Sequence, residues 1–115
     1  DWPDVRGPID KVREELAEVE EVIATHGAIF ETHGVPSGDP RHEQLEAELG
    51  DLLFAVVNVC RKAGTHPALA LDKANAKFQR RFEAVERIAH GRGIDVRTAG
   101  LDVLDPIWDE VKASE

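Results

Sequence analysis

The stretch LEAELGDLLFAVVNVCRKAG, residues 45–64, decides the fold. Its first leucines recur at helical spacings, and residues 52–60 are then apolar on nearly every side. That apolar run alone is also compatible with a buried strand, but the spacing before it and the absence of turn residues favour one helix that continues to about Ala63. A helix that is apolar all round must be covered all round. In a chain of 115 residues, this predicts a second copy of the chain as the cover.

The rest of the chain shows further helical patterns. Apolar residues recur every three or four positions over residues 9–23, and Gly27 ends this first helix. A third helix ends at the HGRG motif of residues 90–93. Pro106 would break a helix interior, so we predict a short fourth helix that begins near Asp105. No segment alternates like a strand, and the sequence predicts an all-α helical bundle of three main helices plus a short C-terminal helix, completed by dimerisation.

Composition and charge restrict the function. The formal net charge of −9 argues against nucleic acid as a partner and suits a metal ion or a metal-chelated anion. No stretch approaches the roughly 18 uncharged apolar residues that a membrane span needs. The single Cys60 excludes an internal disulfide and is compatible with a reducing compartment. We therefore expect a cytoplasmic protein that binds neither nucleic acid nor membrane.

Two acidic pairs repeat on the first two helices. Glu15 and Glu18 lie three residues apart, as do Glu48 and Asp51, so each pair occupies one face of its helix. Like charges at this spacing repel each other, which leaves two interpretations, a solvated face or a cation site. Because the apolar stripes of the two helices would pack together, antiparallel helices would form a cluster of four carboxylates. Oxygen ligands of this kind suit Mg²⁺ or Mn²⁺. A close approach of a neighbouring helix or ligand would explain Gly50 between them.

The third helix carries the opposite charge. Four cationic residues form a flank at spacings close to one helical turn, namely Lys73, Lys77, Arg80 and Arg81. Lysine and arginine suit phosphate oxygens, although a basic face that pairs with acidic helices would show the same pattern. Asn75 lies near the edge of the apolar stripe, where it needs a hydrogen-bond partner. Trp108 is typical of a core anchor, but its indole could also stack on a base.

The two clusters together match the requirements of phosphoryl transfer. Four carboxylates and the roughly four charges of a nucleoside triphosphate would be offset by two divalent ions and two or three of the cations. The chain has no Glu-x-x-His pair and no Gly-x-x-x-x-Gly-Lys-Ser/Thr loop. It is therefore neither a di-iron bundle of that pattern nor a P-loop enzyme.

At this point the chain resembles the MazG-type nucleoside triphosphate pyrophosphohydrolases. The resemblance rests on KVREELAEVEE (11–21), the stretch 45–64, KANAKFQRRFEAVERIAHGRG (73–93) and the closing WDEVK (108–112). It implies a single all-α domain over residues 1–115 that associates as a homodimer, or as a tetramer of paired dimers. The opening DWPDV is similar to the start of the C-terminal domain in two-domain members, so an upstream domain is expected.

The resemblance implies Mg²⁺-dependent hydrolysis of a nucleoside triphosphate to the monophosphate and pyrophosphate, with Mn²⁺ as a substitute and metal-activated water attacking the α-phosphorus. The family's E-E-x-x-E and E-x-x-D motifs fall on Glu14, Glu15, Glu18, Glu48 and Asp51. The last four would be metal ligands, and Glu14 and Glu15 would be catalytic. The residues expected to bind the substrate are Lys73, Asn75, Lys77, Arg80, Arg81 and Trp108.

Two alternatives stay open at this point. One is a house-cleaning enzyme with a narrow substrate, such as dUTP, dCTP or a damaged nucleotide, and the other is a non-catalytic helical dimerisation module. The chain also departs from most relatives, because 29 residues separate Glu18 from Glu48. The excess falls in the Gly-rich segment 27–39, which we predict to be a loop with an influence on base preference.

Overall fold

The computed structural model of the chain describes residues 4–27 and 38–115. Its helices are α1 (Arg6–His26), α2 (Pro40–Lys62), α3 (Pro67–Gly91) and α4 (Leu101–Ala113). The described residues contain no strand, so the predicted all-α fold, with three long helices and a shorter last one, is confirmed. The predicted loop over residues 27–39 falls almost wholly outside the described residues. None of the helices in the described ranges is long and apolar enough to cross a membrane.

The chain divides into two compact units, Asp1–Pro67 and Ala68–Glu115. The first unit contains α1 and α2. The second contains nearly all of α3 together with α4.

In the first unit, α1 and α2 pack as an antiparallel pair. Nε2 of His26, at the end of α1, lies 2.8 Å from Oε1 of Gln44, near the start of α2. Pro8 and Asn58, which come from the opposite ends of these helices, line one pocket. The buried residues of the pair are Pro8, Val19, Val22 and Ala55. The antiparallel order brings the acidic residues of α1 level with those of α2.

The start of α2 shows why the helix forms here. Asp39 is its N-cap and accepts a hydrogen bond from the backbone N–H of Arg41 at 2.9 Å, while Pro40 occupies the first turn. The helix then runs through residues 52–60 to Lys62. The helical interpretation of the apolar run is therefore confirmed, and the strand alternative is wrong.

The second unit is built on the packing of α4 against the C-terminal half of α3. Its buried cluster consists of Val85, Ala89, Ile107 and Val111. Trp108 packs against this cluster, and its ring centroid lies 5.4 Å from that of Phe78. Arg92 joins the two segments through bidentate hydrogen bonds to both carboxylate oxygens of Glu110, at 2.7 and 2.8 Å.

The prediction that the last helix begins near Asp105 is wrong. It begins one turn earlier, at Leu101, with Gly100 as its N-cap. The backbone N–H of Leu104 donates to the carbonyl of Gly100 at 3.1 Å, and the Leu104 side chain packs on the buried cluster. Pro106 lies inside the helix, where it removes one backbone hydrogen bond. Packing of the first turn on the core offsets that loss.

Candidate active site

Three of the predicted metal ligands meet between α1 and α2. One carboxylate oxygen from each of Glu15, Glu48 and Asp51 lies within 4.8 Å of the other two. Glu15 and Glu48 are partly buried, and Asp51 is exposed. Carboxylate oxygens converging at this distance from two helices are the donor set that hard divalent cations prefer. The residues present therefore fit Mg²⁺ or Mn²⁺.

The electrostatics of Glu48 show that these carboxylates repel one another. Its pKa is raised above the usual range, first by desolvation and then by the negative charges of Glu18, Asp51 and Glu15. A raised carboxyl pKa means that the ionised group is less stable in the folded chain than in the unfolded chain. A cation among these oxygens would remove that repulsion.

The other two predicted acidic residues lie at the edge of the cluster. Glu18 is exposed and does not belong to the set of mutually close oxygens, but its charge acts on Glu48. The Glu14 side chain is 61% exposed, whereas that of Glu15 is only 12% exposed. The structure therefore brings Glu18 within electrostatic reach of the cluster and leaves Glu14 facing solvent beside it.

Lys11 contacts this cluster, although the sequence motifs did not single it out. Its Nζ lies 3.0 Å from Oε1 of Glu15 and 3.2 Å from Oε1 of Glu14. Hydrogen bonds to Glu15 and then Glu14 raise the pKa of Lys11. Its spacing could have revealed this contact, because a lysine four residues before Glu15 lies on the same face of the helix. Lys11 supplies a fixed positive charge at the edge of the acidic cluster.

A pocket of about 410 Å³ opens beside the cluster. Its lining residues are Pro8, Lys11, Glu15, Asp51, Phe54, Ala55 and Asn58. Because the helices are antiparallel, Glu15 and Asp51 lie towards one end and Pro8 and Asn58 towards the other, while Lys11 lies between Pro8 and Glu15 and directs its ammonium to Glu15. The volume is that of a small-molecule site, and the pocket has one charged end.

The predicted phosphate-binding residues lie on α3, in the second unit. Lys73, Lys77 and Arg80 are exposed and line one shallow pocket. Arg81 differs, because its Nε and Nη2 donate to the two carboxylate oxygens of Glu115 at 2.9 and 2.7 Å. The pKa of Glu115 is lowered by Arg81 first, and also by Lys77 and Arg80. This cationic flank already holds one carboxylate.

The last two predicted substrate contacts are also in the second unit. Asn75 is exposed on α3. Trp108 is half-buried and packs on the core through Phe78 and the buried cluster. These contacts give Trp108 the role of a core anchor, and stacking on a base stays a prediction.

The all-helical fold and the matched motifs place the chain in a family of nucleotide pyrophosphohydrolases. Residues 8–87 match the MazG nucleotide pyrophosphohydrolase domain, and the chain belongs to this family. Over all 115 residues it is 39% identical to the nucleoside triphosphate pyrophosphohydrolase of Escherichia coli (strain K12). It is 34% identical to the nucleoside triphosphate pyrophosphohydrolase/pyrophosphatase MazG of Thermotoga maritima. The chain spans 39% and 38% of the lengths of these two relatives.

Proposed function

We propose that this chain hydrolyses nucleoside triphosphates to nucleoside monophosphates and pyrophosphate, using Mg²⁺ or, as a substitute, Mn²⁺. The observation that carries the proposal is the convergence of Glu15, Glu48 and Asp51 at the charged end of a pocket large enough for a nucleotide. The names of the Escherichia coli and Thermotoga maritima relatives support the same reaction class. We propose that residues 1–115 act as one catalytic domain in the cytoplasm, where nucleoside triphosphates are available.

The acidic cluster would hold the metal. Glu15, Glu48 and Asp51 already converge, and Glu18 would be the fourth ligand, since its charge reaches Glu48. A bound divalent ion would offset phosphate charge and lower the pKa of a water molecule. The mutual repulsion of the ligands would then become attraction to the shared cation.

Glu14 would accept the proton of the attacking water. Its Oε1 accepts a hydrogen bond from Lys11, which leaves Oε2 as the acceptor among the contacts that the structure describes. The exposed position of Glu14 allows water to reach Oε2. Glu15 would act beside it by orienting Lys11, which it contacts at 3.0 Å. Water would attack the α-phosphorus, and pyrophosphate would leave.

The cationic flank would hold the phosphates. The residues proposed for this role are Lys73, Lys77, Arg80 and Arg81. Arg81 supports it best, because its bidentate contact with Glu115 has the geometry that guanidinium also forms with phosphate. The substrate would displace Glu115 from Arg81. Asn75 and the unburied part of the Trp108 indole would complete the substrate contacts.

We also propose that two copies of the chain associate, with a tetramer as the larger alternative. A shallow groove on α2 includes Leu49, Gly50 and Leu53, and Leu53 is 67% exposed. A Cβ added to Gly50 would meet nothing within 4 Å in the described structure, so a second helix has room to approach. Exposed apolar faces of this kind are typical of protein interfaces. Light scattering should give a molar mass of twice the monomer mass for the wild type. Leu53→Glu should lower the measured mass to that of a single chain.

The test of the reaction is product identification with a single triphosphate, Mg²⁺ and water enriched in ¹⁸O. Attack at the α-phosphorus gives pyrophosphate and places the ¹⁸O in the monophosphate, whereas attack at the β-phosphorus places it in pyrophosphate. Diphosphate and phosphate as products would overturn the proposal. Product release measured with a panel of triphosphates separates a broad activity from the narrow house-cleaning alternative, which predicts one dominant substrate. The alternative of a non-catalytic dimerisation module predicts that no product forms.

A further inference from the structure

We propose that Asn58 is a specificity-determining residue that hydrogen-bonds the edge of the nucleotide base. The inference rests on the proposed function, because it assigns the pocket between α1 and α2 to the nucleoside part of the same substrate. The first observation is the position of the Asn58 amide. Asn58 interrupts the apolar run of residues 52–60, and its side chain is partly buried. Across residues 4–27 and 38–115, the structure gives this amide no hydrogen-bond partner.

The amide atoms of Asn58 are accessible from outside the protein, because no buried side-chain nitrogen or oxygen among the described residues lacks a hydrogen-bond partner. Asn58 also lines the pocket of about 410 Å³. An amide that lines a cavity and lacks a protein partner is available to a ligand that enters the cavity. Its carbonyl accepts and its NH₂ group donates, so it can pair with a base edge that presents both a donor and an acceptor.

The polarity of the pocket changes in one direction along the helices. On α2, Asp51, Ala55 and Asn58 follow one another at intervals of about one turn and all line the pocket. On α1, Glu15, Lys11 and Pro8 follow the same axis in the opposite direction, and the Lys11 ammonium contacts Glu15. The charged groups therefore gather at the Asp51 and Glu15 end, Phe54 and Ala55 follow on α2, and the amide of Asn58 lies at the far end.

A nucleotide has the same order of chemical groups. Its phosphates belong at the charged end, where the acidic cluster and Lys11 lie. Asn58 lies two helical turns beyond Asp51, about 10 Å along α2. The base edge is the part of a nucleotide farthest from its phosphates, so it reaches this end. Between them, Phe54 is 67% exposed and its ring offers an apolar face to a flat base.

The test uses α,β-imido analogues of ATP, CTP, GTP and UTP with Mg²⁺, which bind but are not cleaved between the α- and β-phosphates. Calorimetry gives the four affinities for the wild type, Asn58→Asp and Asn58→Leu. An aspartate only accepts hydrogen bonds, and guanine presents two neighbouring donors on its pairing edge. Asn58→Asp should therefore raise the affinity for the guanine analogue relative to the adenine analogue by at least about fivefold. Asn58→Leu should reduce the differences among the four analogues.

Two controls separate base recognition from general damage. Gln79→Glu makes the same amide-to-acid change at a residue that does not line this pocket, and it should keep the wild-type ranking. Pyrophosphate has no base, so its affinity in Asn58→Leu should equal that of the wild type if the acidic end is intact. An unchanged ranking in Asn58→Asp, or a wild type without base preference, would overturn the inference. A change in oligomeric mass with no change in ranking would overturn it as well, because Asn58 would then serve the interface.

The outcomes also distinguish this inference from the proposed function. If Asn58→Asp re-ranks the analogues but the wild type releases no pyrophosphate, the hydrolase proposal fails and the base-reading role stands. If pyrophosphate is released and the ranking of the analogues never changes, the hydrolase proposal stands and the base-reading role of Asn58 fails. If the wild type binds none of the analogues, the base-reading role is overturned directly.

Discussion

The acidic cluster between α1 and α2 and the contact between α3 and α4 treat charge in opposite ways. In the first unit, Glu15, Glu48 and Asp51 lie together, and the pKa of Glu48 is raised by desolvation and by its acidic neighbours. In the second unit, Glu115 and Glu110 are instead paired with arginines. Bidentate hydrogen bonds from Arg81 lower the pKa of Glu115, and those from Arg92 lower the pKa of Glu110.

The difference separates groups that serve the fold from groups that serve a ligand. A lowered carboxyl pKa shows that folding stabilises the charge, so the arginine pairs support the packing of α4 on α3. A raised pKa shows that folding destabilises the charge. A carboxylate that is retained although it lowers the stability of the fold is expected to serve binding or catalysis. The predictions below test this contrast.

The largest effect is expected from removing a metal ligand. Asp51→Asn and Glu48→Gln keep the side-chain shape but remove a charge from the cluster. Residues that only support metal ligands cost 10–100-fold, so each of these changes should lower pyrophosphate release by more than about 100-fold. The matched control is Glu46→Gln, an exposed position on the same helix. Near-normal activity in Asp51→Asn would remove this residue from the site.

Much of this cluster was foreseeable from sequence, because it depends on local periodicity. Acidic residues three apart must share a helix face, and the apolar stripes required the two helices to pack together. The length of α2 was equally predictable, since Asp39 and Pro40 mark its start and nothing interrupts it before Lys62. Periodicity and capping residues were enough to predict a helix wherever no contact with a distant residue changed the outcome.

The features that sequence did not reveal depend on contacts between distant residues. The start of α4 at Leu101 contradicts the local effect of Pro106, because Leu104 gains packing on a core formed with α3. The contact between Arg81 and Glu115 joins positions 34 residues apart, and no motif announces it. The free amide of Asn58 was equally invisible, since the sequence presents it only as a break in an apolar run.

The second prediction concerns stability. Glu48→Gln removes repulsion, so without metal its melting temperature should exceed that of the wild type, the reverse of most changes at a partly buried residue. Mg²⁺ at about 100 times its dissociation constant should stabilise the wild type by about 2.7 kcal/mol, roughly 10 °C for a domain of this size. Thermal unfolding with EDTA and with Mg²⁺ measures both effects. A wild type that ignores Mg²⁺, or a variant that melts lower in EDTA, would contradict the repulsion argument.

A smaller effect is expected at the cationic flank. Glu115→Gln frees Arg81 from its internal carboxylate, which the substrate would otherwise displace. Exposed ion pairs are weak, so the affinity for pyrophosphate should rise by at most about fivefold. The control is Glu110→Gln, which breaks the corresponding bidentate pair with Arg92 and should leave this affinity unchanged. Equal changes in both variants would mean that the effect comes from loosening α4 and not from Arg81.

The smallest effect is a pH dependence at the start of α2. Hydrogen bonds from Arg41 lower the pKa of Asp39 from 3.8 to about 2. The stabilisation is therefore complete above the unfolded value of 3.8 and is lost as the pH falls to about 2. Asparagine also caps helices but carries no charge for Arg41. Asp39→Asn should therefore be less stable than the wild type at pH 6, and the difference should disappear once the pH falls below about 2.

Urea unfolding across this range tests the Asp39 prediction, and Glu48→Gln is its counterpart of opposite sign. Because the pKa of Glu48 is raised, its ionised form lowers stability at neutral pH, and protonation restores it as the pH falls. Glu48→Gln should therefore be the more stable protein at pH 6, and its advantage should also disappear in acid. Removing the charge of Asp39 would then lower stability at pH 6, whereas removing that of Glu48 would raise it. This difference in sign separates a helix cap from a proposed metal ligand. If both variants shifted stability in the same direction at pH 6, a general effect of net charge would explain the data better than this division of roles.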